Sequence, residues 1–180
     1  MHTVRALNLL VEWEAKGRLV YTTGDLSRLF REPRSGSRLT GTLTRLVKEG
    51  ILSRPTRGIY VFRLARSLDS SILACIALAA RRGCTSIESF ETAAARWGLI
   101  DQTYPQALTV ATTGRSATFE TEWGHIALIH TQATAQQLIA SSIEMPDSPM
   151  RLASRELCLH NLKRSGRAPH LVIEYTGSAQ

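Results

Sequence analysis

Arginines and hydroxyls at helical spacing, followed at once by two arginines in a tight turn, give this chain a stretch suited to an extended anion. Residues 37–62 run Ser-Arg-Leu-Thr-Gly-Thr-Leu-Thr-Arg-Leu-Val-Lys-Glu-Gly-Ile-Leu-Ser-Arg-Pro-Thr-Arg-Gly-Ile-Tyr-Val-Phe. Leu39, Leu43, Leu46 and Val47 recur at i, i+4, i+7 and i+8, which predicts one apolar helical face. The opposite face is expected to carry Arg38, Thr42, Arg45 and Lys48, with no acid before Glu49. Gly50 is the expected helix stop, because glycine takes the positive φ of a C-terminal cap without steric cost. Two short strands, Ile51-Leu52 and Ile59 to Phe62, flank a turn, Ser53 to Gly58, that holds Arg54 and Arg57. A basic helix leading straight into a basic hairpin matches the way a winged helix-turn-helix meets DNA. The helix enters the major groove and the wing lies along the phosphates.

Other chemistry finds little support. The histidines stand at 2, 125, 130, 160 and 170. His125 and His130 lie five apart on an expected strand, hence on opposite faces, where they cannot share a metal. No Gly-rich phosphate loop, G-x-S-x-G elbow or H-E-x-x-H motif occurs. Glu120 and Glu122 alternate on one strand, and Glu88 and Glu91 stand a helical turn apart. Residues 120–124 lack the lysine that a metal-dependent nuclease signature needs, and Lys163 is the only lysine after residue 66. The expectation is a non-enzymatic chain with no catalytic residues, metal or cofactor.

Charge is unevenly placed. The chain of 180 residues carries a formal +7. Residues 1–66 hold thirteen Lys/Arg against five Asp/Glu, a net of +8, and residues 67–180 hold nine against ten, a net of −1. This asymmetry predicts a nucleic-acid module at 1–66 joined to a near-neutral module at 67–180. Hydrophobic content of 43% is enough to build cores. Cys75, Cys84 and Cys158 are odd in number and form no CxxC pair, which favours a reducing compartment over disulfides or zinc. The opening has no signal-like apolar run, and Ile72 to Ala80 is too short to span a bilayer, so a cytoplasmic protein with no membrane partner is expected.

The elements that must position the basic stretch follow from periodicity. Val4, Leu7, Leu10 and Val11 mark an opening helix that ends near Lys16-Gly17, and Arg18 to Tyr21 is a short extended piece. Thr22, three residues before Asp25, resembles a capping box and starts a second helix through Leu26, Leu29 and Phe30. Ser35 or Ser37 is the expected cap of the third helix, and Arg34 in the preceding turn can reach a phosphate. The second and third helices form the expected helix-turn-helix, with the third as recognition helix. Residues 63–69 are expected as a linker. Beyond it come a helix from Ser70 or Ser71 to Gly83, a strand at Cys84-Thr85 and a helix near Ile87–Trp97. A strand at Leu108 to Thr113 precedes a hairpin of Ala117–Thr121 with Ile126–His130. Helices at Ala133–Ser142 and Leu152–Lys163 and a closing strand at Leu171–Tyr175 complete a mixed module. The fold class expected is α+β: an N-terminal winged helix-turn-helix followed by a mixed α/β module with a small sheet.

The succession "LTRLVKEGILSRPTRGIYVF", "TSIESFETAAARWGLIDQ", "LTVATTGRSATFETEWGHIALIHT" and "RLASRELCLHNL" resembles the AbiEi-type antitoxins of type IV toxin–antitoxin systems over roughly residues 4–163. The Thr-Thr-Gly-Arg segment (112–115) and the strands after it carry the more specific part of that likeness. Longer members of the family continue with helical structure after the Ala-Ser-Arg-Glu helix (153–156). The resemblance implies a winged helix that represses its own operon by binding inverted repeats in the promoter. It also implies a C-terminal part that neutralises a nucleotidyltransferase-like toxin encoded alongside. Carried to this chain, the DNA-facing candidates are Ser37, Arg38, Thr40, Thr42, Arg45 and Lys48 on the third helix, with Arg54 and Arg57 on the wing. Arg45 suits a guanine edge, which arginine bonds bidentately. Arg115 is a candidate partner or DNA contact at a strand end, set against a structural arginine paired to an acid across the hairpin. The expected partners are operator DNA and the cognate toxin, with the chain a monomer or weak dimer. Two other readings remain: a winged-helix regulator whose second module senses a ligand or dimerises, and a mobile-element nuclease with a DNA-binding headpiece.

Overall fold

The computed structural model describes residues 3–100 and 107–166, which hold seven helices and nine strands in two compact units, 1–80 and 81–180. The closing strand expected at Leu171–Tyr175 lies outside the described residues.

The first unit runs α1 (Thr3–Glu14), β1 (Val20–Thr22), α2 (Thr23–Phe30), α3 (Ser37–Lys48), β2 (Leu52–Thr56), β3 (Ile59–Phe62) and α4 (Ile72–Ala80). Its three strands form an antiparallel sheet in the order β1-β3-β2. β3 is central and buried at all four positions, whereas β2 is an edge. The edge position explains how β2 tolerates Pro55, which lacks the N–H that a central strand would need. The register shifts between Ser53 and Thr56, so strand geometry extends further into the expected turn than the sequence indicates, and Arg57-Gly58 alone reverse the chain. Gly58 does so at a φ of 81°.

Local chemistry sets the helix ends. Thr22 and Asp25 make the expected capping box at the start of α2: Asp25 N donates to Thr22 Oγ1 at 3.2 Å, and Thr22 N donates to Asp25 Oδ2 at 2.9 Å. Gly50 follows α3 with a φ of 71°. The expected serine cap of α3 is replaced by Gly36, which supplies no side-chain hydrogen bond. Leu10, Leu26, Leu39, Leu46, Leu52 and Phe62 are the nearly inaccessible centre of this unit's core. α4 packs on β1 and β3, so the first unit continues through Ala80, beyond the boundary expected at residue 66.

The second unit contains β4 (Ser86–Glu88), α5 (Phe90–Arg96), β5 (Ala107–Thr112), β6 (Ala117–Thr121), β7 (Gly124–His130), α6 (Ala135–Ala140), β8 (Ser142–Ile143), β9 (Leu152–Ala153) and α7 (Arg155–Ser165). Its mixed sheet has six strands in the order β6-β7-β5-β4-β9-β8. The expected hairpin is β6 with β7, and β7 also pairs parallel with β5 from Ala107↔His125 to Thr112↔His130. α5 packs against β5 and α7. The core gathers Ile87, Phe90, Ala93, Ala94, Leu138 and Leu162. Phe90 begins α5 with a φ of 54°, a conformation costing a non-glycine residue about 1–2 kcal/mol. The surroundings hold it there. Cys158 Sγ donates to Phe90 O at 3.3 Å, Asn161 Nδ2 to Ser89 Oγ at 3.0 Å, and Thr109 Oγ1 to Ser89 O at 2.7 Å. Glu88, 2% exposed, meets Arg96 Nε at 2.8 Å and accepts from Ser148 Oγ at 2.6 Å.

Candidate nucleic-acid interface

α3 has a sharply divided surface. Leu39, Leu43 and Leu46 are buried, and Ser37, Arg38, Thr40, Gly41, Thr44, Arg45 and Lys48 are exposed. At 100° per residue, Ser37, Gly41, Thr44 and Lys48 fall near the middle of the open arc. Arg38 and Arg45 flank it on one side and Thr40 on the other. Thr42 departs from the expectation: it is 4% exposed and faces the core. The reason is geometric, since it stands three residues after Leu39 and four before Leu46, within the apolar stripe. Thr44, four residues before Lys48, is the hydroxyl on the solvent face that the sequence reading missed. Helical spacing from Lys48 was the signal that could have found it.

The charges on this face have little internal compensation. Arg38 and Lys48 make no ion pair among the described residues. Arg45 has Glu49 one turn on, with Nε 3.9 Å from Oε1 and both side chains well exposed. A pair that long and that wet is worth at most a few tenths of a kcal/mol, about 0.3–0.5 for helix pairs of this spacing. No acid lies in the first turn of α3 and no side chain caps it. Its unpaired N–H groups and the positive end of its dipole therefore stand open to an anion.

On the hairpin, Arg54 and Arg57 are exposed. The Arg54 guanidinium lies over the Tyr60 ring, 5.8 Å from its centroid, which steadies it along the strand. The start of α2 is tied to the hairpin tip, because Thr23 N donates to Gly58 O at 2.9 Å. Arg34 comes to the same place: a Cβ on Gly24 would stand 3.9 Å from its Nη1. The fold thus brings the α2 start, Arg34 and the hairpin tip together. Counted by compact unit, residues 1–80 hold thirteen Lys/Arg and six Asp/Glu, a net of +7, while residues 81–180 hold nine of each.

In the second unit, Arg115 is exposed in the β5–β6 loop, and its side chain makes no ion pair among the described residues. The acid partner considered across the hairpin is therefore not found there. The loop itself is fastened. Arg81 Nε donates to Arg115 O at 2.8 Å, Gly114 N donates to Thr112 Oγ1 at 3.1 Å, and His130 Nδ1 lies 2.9 Å from Gly114 O. His125 instead pairs with Glu120 at 2.6 Å, so the two histidines serve separate contacts. Among the described residues, no helix is long and apolar enough to cross a membrane.

The architecture is similar to the crystal structure of the RV2827C protein from Mycobacterium tuberculosis, with a TM-score of 0.63. The alignment covers 94% of this chain and 64% of that one at 14% identity, so the chain spans less than two thirds of that protein's length. At this identity the likeness carries the α+β fold and nothing of function. No family model and no curated protein matches the sequence.

Proposed function

We propose that this chain is a winged-helix DNA-binding protein that represses its own promoter and acts as the antitoxin of a type IV toxin–antitoxin pair, with no catalytic activity. The observation that carries the DNA-binding half is the open face of α3, where Arg38 and Lys48 make no ion pair among the described residues and Arg45 is exposed, beside the Arg54–Arg57 hairpin. In this mechanism α3 enters the major groove, Arg45 meets a base edge, and the hairpin arginines hold phosphates. Occupancy of the promoter excludes polymerase. The antitoxin half rests on the resemblance of residues 112–130 to AbiEi-type antitoxins, with Arg115 as the contact offered to a nucleotidyltransferase-like toxin.

Two experiments test the two halves. The first measures binding to a labelled duplex of the chain's own upstream region and to a scrambled duplex, at moderate and high salt, for the native protein and for Arg45→Ala with Arg57→Ala. The expected result is sequence-selective binding that weakens steeply with salt and falls about tenfold or more in the double variant. Weak binding, equal on both duplexes, would remove the repressor reading. The second experiment co-expresses the chain with a neighbouring nucleotidyltransferase-like gene. Unrelieved growth arrest would remove the antitoxin reading.

A further inference from the structure

Within the first unit, α1, β1 with the segment leading into it, and α2 line an open cleft of about 490 Å³ whose lining includes no residue of α3 or the hairpin. Four arginines line it: Arg5, Arg18, Arg28 and Arg31. One acid answers them. Asp25 is 5% exposed and already heavily engaged. Its Oδ2 accepts from Thr22 N at 2.9 Å and Thr22 Oγ1 at 2.8 Å and meets Arg18 Nη2 at 2.9 Å, and its Oδ1 accepts from Arg28 Nη2 at 2.7 Å. Arg5 and Arg31 are exposed and make no ion pair among the described residues. The lining therefore carries a surplus of three positive charges, because four arginines face one carboxylate.

The rest of the wall is flat and apolar. Trp13 contributes a half-buried ring with Lys16 Nζ 5.0 Å from its centroid, Leu9 and Leu29 contribute aliphatic surface, and Tyr21, 1% exposed, lies beneath Arg18. The Arg18 guanidinium lies 5.6 Å from the centroids of both rings, and this stacking with the Asp25 pair fixes its position. Arg31 is held in the left-handed region at a φ of 54°, where it ends α2. Guanidinium forks match phosphate oxygens bidentately, and aromatic and aliphatic walls match the face of a base. The volume falls within the range of small-molecule sites, roughly 300–1,000 Å³.

From this combination we infer that the cleft is a binding site for a nucleoside di- or triphosphate, with Arg5 and Arg31 on the phosphates and the Trp13 ring with Leu9 and Leu29 beside the base. The inference goes beyond the DNA-binding reading and stands without it. The same arginines could meet the phosphates of a DNA backbone instead, and the test separates the two sources.

The full-length chain is titrated calorimetrically with ATP, GTP, pyrophosphate and adenosine, each alone. Native protein, Arg5→Ala with Arg31→Ala, and Arg54→Ala with Arg57→Ala are compared. Thermal melting checks that each variant folds. The expected result is saturable binding of a nucleoside triphosphate, tighter than pyrophosphate and tighter than adenosine. The Arg5/Arg31 variant should bind about tenfold more weakly or worse, and the hairpin variant as the native protein does. No saturable binding of any probe would overturn the site, as would equal weakening by both variants. Pyrophosphate binding as tightly as ATP would overturn the role of the aromatic wall. A loss of duplex affinity in the Arg5/Arg31 variant without free-nucleotide binding in the native protein would assign the cleft to DNA phosphates and overturn the proposal.

Discussion

Two regions present an arginine beside a glycine, and the two glycines are there for opposite reasons. Gly41 sits in the middle of α3 on its solvent face, and nothing lies within 4 Å of where its Cβ would be. Gly114 sits beside Arg115, where a Cβ would stand 2.9 Å from both Arg81 Cδ and Cys84 Sγ. The second glycine answers to the protein's own packing. The first answers to nothing inside the molecule and costs α3 about 0.5–1 kcal/mol relative to alanine. On the DNA-binding reading proposed above, that glycine would let the duplex approach α3 closely. The same contrast runs through the charges. Arg96, Arg151 and Arg164 of the second unit each have a side-chain partner, whereas Arg38, Lys48 and Arg57 of the first have no ion pair among the described residues.

The comparison can be broken at its glycines. Gly114→Ala should destabilise the protein by about 1–3 kcal/mol, the usual penalty of overpacking. Adding Cys84→Ala should recover part of that loss, because one of the two clashing atoms is then gone. Urea unfolding measures both, and an unchanged midpoint for Gly114→Ala would show that the loop yields freely. Gly41→Ala should act the other way, stabilising the protein by about 0.5–1 kcal/mol while weakening duplex binding. A variant that is both more stable and an equally good binder would show that the open glycine has no part in recognition.

A smaller effect sharpens the picture of the second unit's interior. Burial, with the Glu91 carboxylate adding to it, pushes the Cys158 thiol up to about 12, and burial also raises Cys75. Cys84 is exposed. Iodoacetamide at pH 8 should therefore label Cys84 first and Cys158 last, as read by mass spectrometry. Because the folded thiol of Cys158 is raised above the ordinary thiol value of 9.0, its neutral form contributes stability fully below that pH. The contribution is lost as pH rises from there toward 12. Thermal stability should accordingly decline over that alkaline interval less steeply in Cys158→Ala than in the native chain.

Much of the first unit was legible because its signals are local. The Thr22–Asp25 capping box, Gly50 and the i, i+4, i+7 leucines of α3 each need only a few neighbouring residues to act. Thr42 was misplaced because the basic face was drawn too wide, across a position that Leu39 and Leu46 claim. The second unit was harder to read. β8 and β9 have two residues each, too short to show any alternation, and Ile87-Glu88 of β4 reads as the start of the helix that begins at Phe90. The parallel pairing of β5 with β7 is a long-range choice that no local pattern records. α4 was set beyond a linker, yet it completes the first unit, because an alanine-rich apolar helix does not name the surface it covers. The four arginines of the cleft come from α1, the segment before β1, and α2 with its end, so only the fold assembles them.

The central claim is that the exposed cations of the first unit meet nucleic acid and those of the second do not. Two triple variants of equal charge test it: Arg38→Ala, Lys48→Ala and Arg57→Ala against Arg115→Ala, Lys163→Ala and Arg164→Ala. Fluorescence anisotropy on the upstream duplex is read across a salt series. The first triple should lose about a hundredfold or more in affinity, and its log–log salt slope should flatten by about 0.9 for each phosphate contact removed. The second should stay close to native in both. Equal losses in the two variants would mean that net charge alone draws the duplex, and α3 would lose its claim to be the recognition element.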